Sequence, residues 1–179
     1  MRHNHYSDIA VTLLADLANH PPASVAELVR RCEDGGFIAA PTHRADLGSV
    51  LGFIEEWRHV ADTADPSERS RLLNAMMADA ATHPRLTDHD GHWHLHHRDD
   101  GVTLAHALKA WSSVGTATHL VTRGMDALGR CEADGCAVIY ADTSRAGTQR
   151  FCSPACANRQ AVRRHRARRR TGVSAREAS

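Results

Sequence analysis

Lysine is almost missing from this chain: Lys109 is the single one among 22 basic residues. The positive charge is therefore carried by guanidinium groups, which suit bidentate contacts to phosphate and guanine. A GC-rich coding genome would raise arginine and alanine along the whole chain, but it would not cluster them. Aromatic residues are also scarce, at 4%, so a core must rest on Leu, Val, Ile, Met and Ala. No stretch approaches the ~18 apolar residues that a spanning helix needs. Asp8 and Asp16 interrupt the apolar part of "MRHNHYSDIAVTLLADLANH", which excludes a secretory reading of it. These features predict a soluble cytoplasmic protein with no membrane partner. No Ser/His/Asp order, phosphate loop or distinctive carboxylate pair occurs, so no enzymatic activity is expected.

Acid is missing from one region only. Residues 143–176 hold ten arginines and no Asp or Glu, whereas residues 1–142 hold 12 basic and 20 acidic residues. The formal net charge of +1 thus hides an acidic body and a strongly basic end, a split that points to a polyanion partner.

Apolar periodicity divides the body into helices. Residues 7–18 place Ile9, Leu13, Leu14 and Leu17 on one face. Ser24 and Glu27 form a capping box ahead of Val25, Leu28, Val29 and Cys32. Thr42 is positioned to cap a helix to about residue 61, with Leu47, Val50, Leu51, Ile54, Trp57 and Ala61 inward. Asp65-Pro66 restarts a helix that buries Leu72, Leu73, Met76 and Met77. A long helix over about 102–128 follows, with Leu104, Leu108, Trp111, Gly115, Thr118, Val121, Met125 and Leu128 in phase, and Gly129 ends it. Between the last two helices the period changes to two. Asp90-Gly91 signals a hairpin turn, and Trp93 and Leu95 are expected to face inward. His92, His94 and His96 then share the other face, where i, i+2 pairs can chelate zinc if further ligands come from elsewhere. An exposed polar strand face is the plainer reading. Cys32 reads as a core thiol, and Trp57, Trp93 and Trp111 as core or pocket lining.

The remaining four cysteines follow Cys131-x4-Cys136-x15-Cys152-x3-Cys156. Zinc takes four thiolates in a tetrahedron, and two close pairs joined by a loop deliver that set. A reactive dithiol and unrelated thiols are the alternatives. A site whose ligands all come from protein is closed, so its role is to fold a small module and not to activate water. Pro154 can open a helix with Cys156 in its first turn. On that helix Arg159, Arg163, Arg166 and Arg170 fall in a stripe about 60° wide at 100° per residue. Arg164 and Arg168 lie opposite, near Ala157 and Ala161, which are expected to rest on the finger. Asn158 reads as a base-edge contact or as a cap of the finger. Arg150, Asn158, Arg159, Arg163, Arg164, Arg166, Arg168, Arg169 and Arg170 are the candidate nucleic-acid contacts.

The segment "RCEADGC…DTSRAGTQRFCSPACANRQAVRRHRARRR" resembles the CGNR zinc finger of bacterial proteins, with Cys156-Ala157-Asn158-Arg159 standing where the namesake tetrad has glycine second. The resemblance implies one structural zinc on Cys131, Cys136, Cys152 and Cys156, a treble-clef-like finger, and DNA binding. Members usually carry an N-terminal ABATE domain, described as a stress-induced transcription regulator, and "LLADLANHPP" and "DGHWHLHHR" resemble its parts.

The expected fold class is α+β. Residues 1–128 form a mainly helical, ABATE-like sensor or dimerisation domain with a short β-hairpin, open to a small-molecule effector and a homodimer partner. Residues 129–170 form the four-cysteine zinc finger and basic helix, and 171–179 a disordered tail. The expected function is zinc-dependent DNA binding in transcription regulation. The alternatives are an RNA- or protein-interaction module with purely structural zinc, and a thiol redox switch.

Overall fold

The computed structural model describes residues 5–37, 46–88, 91 and 93–177, with side chains from Tyr6 to Arg168. Thr42, Asp90 and His92 lie outside the described residues, as do the side chains of Arg169 and Arg170. The elements, in order, are α1 (His5–Asn19), α2 (Val25–Asp34), α3 (Asp46–Asp62), α4 (Pro66–Ala80), β1 (Arg85–Thr87), β2 (His94–His96), α5 (Leu104–Arg123), a 3₁₀ turn (Met125–Ala127), β3 (Leu128–Arg130), β4 (Ile139–Ala141) and α6 (Pro154–Glu177). This is the α+β class expected, mostly helix with two small antiparallel hairpins. None of the described helices is long and apolar enough to cross a membrane.

Local chemistry sets the helix starts. Ser24 Oγ accepts from the Glu27 amide at 3.2 Å, while Glu27 Oε2 reaches back to the Ala23 amide at 2.9 Å. Asp65 Oδ1 caps α4 through the Glu68 amide at 2.7 Å, with Pro66 at the first position. Thr103 caps α5 through the His106 amide. Each such cap contributes about 1 kcal/mol.

α5 is the central helix and packs against α1, α3 and α4. It approaches α1 most closely at Gly115, where a Cβ would stand 2.4 Å from the Ala10 Cβ. Trp57, fully buried on α3, satisfies its indole N–H on Thr116 Oγ1 at 3.0 Å. Phe53, Val60 and Ala80 join the core beyond the residues that the period had marked. Leu72 and Met77 are only half-buried, since α4 packs on one side alone.

Three expectations are corrected. The long helix expected to reach about residue 128 ends at Arg123, capped by Gly124 at φ 100°; Leu128 lies in β3, and Val121 is 85% exposed. β1 pairs β2 in the register Arg85↔His96, Leu86↔Leu95 and Thr87↔His94. Trp93 and Leu95 face solvent, at 71% and 50% exposure, and His96 is the inward residue at 9%. Alternation gives two faces and does not say which is inner. Here His96 is buried, and His94 borders a cavity lined by Tyr6 and Ser7 of α1 and Thr118 of α5. The third correction concerns the chain's end. α6 continues to Glu177, beyond the point where a disordered tail was expected. Its one interior glycine, Gly172, costs only about 1 kcal/mol relative to alanine.

The finger is not a free appendage. Leu128 and Ile139 from β3 and β4 belong to the same core as α1, α3 and α5. Asn19, the last residue of α1, clamps β4: Nδ2 donates to Ile139 O and Oδ1 accepts from Ile139 N, both at 2.8 Å. Arg130 at the end of β3 pairs with Asp62 at the end of α3. Burying Ile139 alone contributes about 1.5–3 kcal/mol.

Candidate metal centre and basic helix

The four cysteines arrive from two knuckles. The first begins after β3: the Cys131 amide donates to Val138 O at 2.9 Å, and the Cys136 amide closes a turn on Ala133 O at 2.9 Å. Gly135 supplies the left-handed conformation of that turn, at φ 74°. The chain then crosses through β4 into the loop 142–149. Asp142, 1% exposed, organises this loop by accepting from the amides of Ser144 at 2.8 Å and Gln149 at 2.7 Å. The Glu132 amide bonds Arg150 O at 2.9 Å and so draws the second knuckle alongside the first. Ser153 then caps α6: its Oγ accepts from the Cys156 amide at 3.3 Å. Pro154 opens the helix, and Cys156 lies in the first turn.

All four sulfurs lie within 4.8 Å of one another. The Cys136–Cys152, Cys152–Cys156 and Cys136–Cys156 separations are 3.8, 3.6 and 3.9 Å. A tetrahedron with metal–sulfur bonds of about 2.3 Å has edges of about 3.8 Å. Disulfides require about 2.05 Å, so this spacing belongs to a shared ion. Electrostatics agree. Burial and hydrogen bonds to the neighbouring sulfurs push the Cys152 thiol up to about 12. The Ser153 hydroxyl, followed by the other thiols, brings Cys156 down to about 7. Thiols crowded this closely cannot all ionise unless a cation balances them. One divalent zinc does so, and Arg159 Nη2, 3.3 Å from Cys156 Sγ, offsets part of the remaining negative charge. The residues present fit one structural zinc ion. Cys32 plays no part: it is fully buried in the helical core, and burial pushes its thiol up to about 11.

The structure divides the candidate nucleic-acid residues. Arg159 turns to the sulfur cluster, and Arg163 pairs with Asp134 at 3.0 Å. The side of α6 facing the finger is therefore the side of Cys156, half-buried Gln160 and Arg163. Of the two alanines expected there, Ala157 is half-buried but Ala161 is exposed. Negative charge on the sulfurs and Asp134 explains the difference, because it draws guanidinium groups and not methyl groups. Arg150 lies 3.8 Å from Glu132. Asn158, Arg164, Arg166 and Arg168 are exposed. Among the described residues, Arg164 and Arg166 have no ion-pair partner. Ala157, where the resembled motif has glycine, is a half-buried helical residue and needs no special backbone conformation.

Sequence reasoning missed the residues that hold the finger in place. Asp142 and Ser153 carried local signals, the first as Asp-x-Ser before a glycine and the second as Ser before a helix-opening proline. Asn19 is 120 residues from its partner and carried none. Arg123, which bonds Asp8 at 2.6 Å and Ser144 O at 2.9 Å, likewise ties the body to the finger loop without a sequence signal.

A comparison with curated proteins finds no match. Residues 127–169 match the family model of the CGNR zinc finger, and with four sulfurs converging on one tetrahedral position this C-terminal part of the chain is a CGNR zinc finger.

Proposed function

We propose that the protein binds DNA through α6 and acts as a transcription regulator. The observation that carries the reading is the way α6 is mounted. Its first turn is fixed to the metal centre by Cys156, and residues 161–168 are exposed along their whole length. Like charges three and four residues apart disfavour a free helix by a few tenths of a kcal/mol per pair, so an anionic surface would relieve α6. Guanidinium groups suit phosphate oxygens and the guanine edge. DNA is favoured over RNA because no aromatic stacking set is interleaved with the arginines. The acidic body would repel the duplex and direct it to α6.

The test is fluorescence anisotropy of the zinc-loaded full chain on duplex DNA between about 50 and 200 mM salt. Affinity should fall by about 0.9 log units per log salt for each phosphate contacted. Replacing Arg164, Arg166 and Arg168 together by alanine should lower that slope by about 2–3. Binding that ignores salt, or a slope unmoved by the triple change, would refute the reading. Tighter binding to RNA of the same sequence would transfer it to RNA.

A further inference from the structure

The inner face of β2 carries chemistry that the finger does not use. His94 and His96 bring their Nε2 atoms to 3.1 Å, with ring centroids 4.9 Å apart and planes tilted by 59°. If one ring is protonated at Nε2 and the other is not, this is a hydrogen bond. It is also the bite of a chelate. With metal–nitrogen bonds of about 2.0–2.1 Å, two nitrogens so spaced subtend about 95–100° at the ion. That angle lies between the cis angle of an octahedral or square-planar ion and the tetrahedral angle.

The backbone holds this arrangement. The i, i+2 spacing puts both rings on one face, the β1 register fixes Thr87 opposite His94 and Arg85 opposite His96, and the Thr82 amide extends the pairing to His97 O at 2.7 Å. His94 and His97 line a cavity of about 230 Å³ together with Tyr6, Ser7, Leu95 and Thr118; His96 does not border it, and no carboxylate is among its described lining residues. Asp100, whose charge acts on His96, is engaged by Arg85 at 3.0 Å.

We propose that His94 and His96 chelate a divalent transition-metal ion through Nε2, with an open position on the side of the cavity that His94 lines. Imidazole donors suit zinc, copper and nickel. Two neutral donors leave the dication its full charge, so the cavity-side ligand is water, hydroxide or a small anion. The finger is closed by four thiolates. This second site is open, and an open site can exchange its ligand. The inference is independent of DNA binding.

The experiment titrates Co²⁺ into full-length protein whose finger already holds one zinc. A second site gives one further equivalent of cobalt, with visible d–d bands and no sulfur-to-cobalt charge-transfer band. His94→Gln and His96→Gln should each weaken that equivalent at least tenfold, while the finger keeps its zinc and the helical circular dichroism is unchanged. The proposal fails if the wild-type protein takes up no cobalt beyond the finger, or if uptake is undiminished in the double variant. If the double variant does not fold, half-buried His94→Gln alone decides: undiminished uptake overturns the site, and loss supports it.

Discussion

Replacing Asn19 by alanine tests whether the zinc finger and the helical body are one folding unit. Asn19 saturates both main-chain groups of Ile139 at 2.8 Å, and Ile139 is 2% exposed. The variant leaves a buried N–H and a buried C=O without partners, at about 1–3 kcal/mol each. Asn19 is only half-buried, so some water enters and the expected loss is about 3 kcal/mol. For a chain of this length that lowers Tm by about 6–12 °C. The control is His20→Ala: that ring is exposed and its pair with Asp16 is 3.4 Å long, worth under about 1 kcal/mol. The assay follows helical circular dichroism and a zinc-responsive dye in one thermal scan of the full chain. In the wild type both signals should change together, because Leu128 and Ile139 sit in the core of the body. In Asn19→Ala both should shift down together. A Tm change under about 1 °C, or wild-type zinc release well below the loss of helix, would show that the clamp does not couple the two parts.

Three further outcomes are expected. Gly115→Ala forces a methyl group to within 2.4 Å of the Ala10 Cβ, and such overpacking should cost about 1–3 kcal/mol by urea denaturation; an unchanged midpoint would contradict the α1–α5 contact. Burial raises the Asp8 carboxyl, but hydrogen bonds and charge from Arg123 and His119 outweigh it, and the net shift is below the usual 3.8. A lowered native value stabilises the fold above the unfolded pKa, and the gain is lost as pH falls through the native pKa. Asp8→Asn should therefore be less stable at neutral pH and lose less than the wild type on acidification below about pH 4; parallel stability curves would refute this. Finally, Asp134→Asn frees Arg163 from its 3.0 Å pair. If α6 binds DNA, affinity should rise a few-fold and the salt slope steepen by up to about 0.9, as read by anisotropy; an unchanged slope would mean that Arg163 does not reach phosphate.

Much of the local structure could be read from the sequence, because its causes are local. Ser24, Asp65 and Pro66 announce helix starts through side chains a few residues from their targets. The four cysteines announce a tetrahedral site because close pairs are the simplest way to gather thiolates. The orientation of β2 could not be read: Trp93 and Leu95 look like core residues on hydrophobicity, yet His96 is the buried one and His94 borders a cavity that Tyr6, Ser7 and Thr118 make partly polar. The docking of the finger was equally hidden. Asn19, Asp62 and Arg123 are ordinary polar helix residues whose partners lie far along the chain. Buried charge was missed for a related reason. Arg69, 5% exposed, spends its guanidinium on the carbonyls of Ala61 and Met125, a role that depends on where the end of α3 meets the 3₁₀ turn.

A helix of 24 residues is a lever about 36 Å long, so a tilt of about five degrees at its root swings the far end by about 3 Å, the length of one hydrogen bond. The angular stiffness of four sulfur bonds and one serine hydroxyl at that root therefore sets how well the arm can be aimed. Softening the anchor would blur contacts at the tip long before it released the metal.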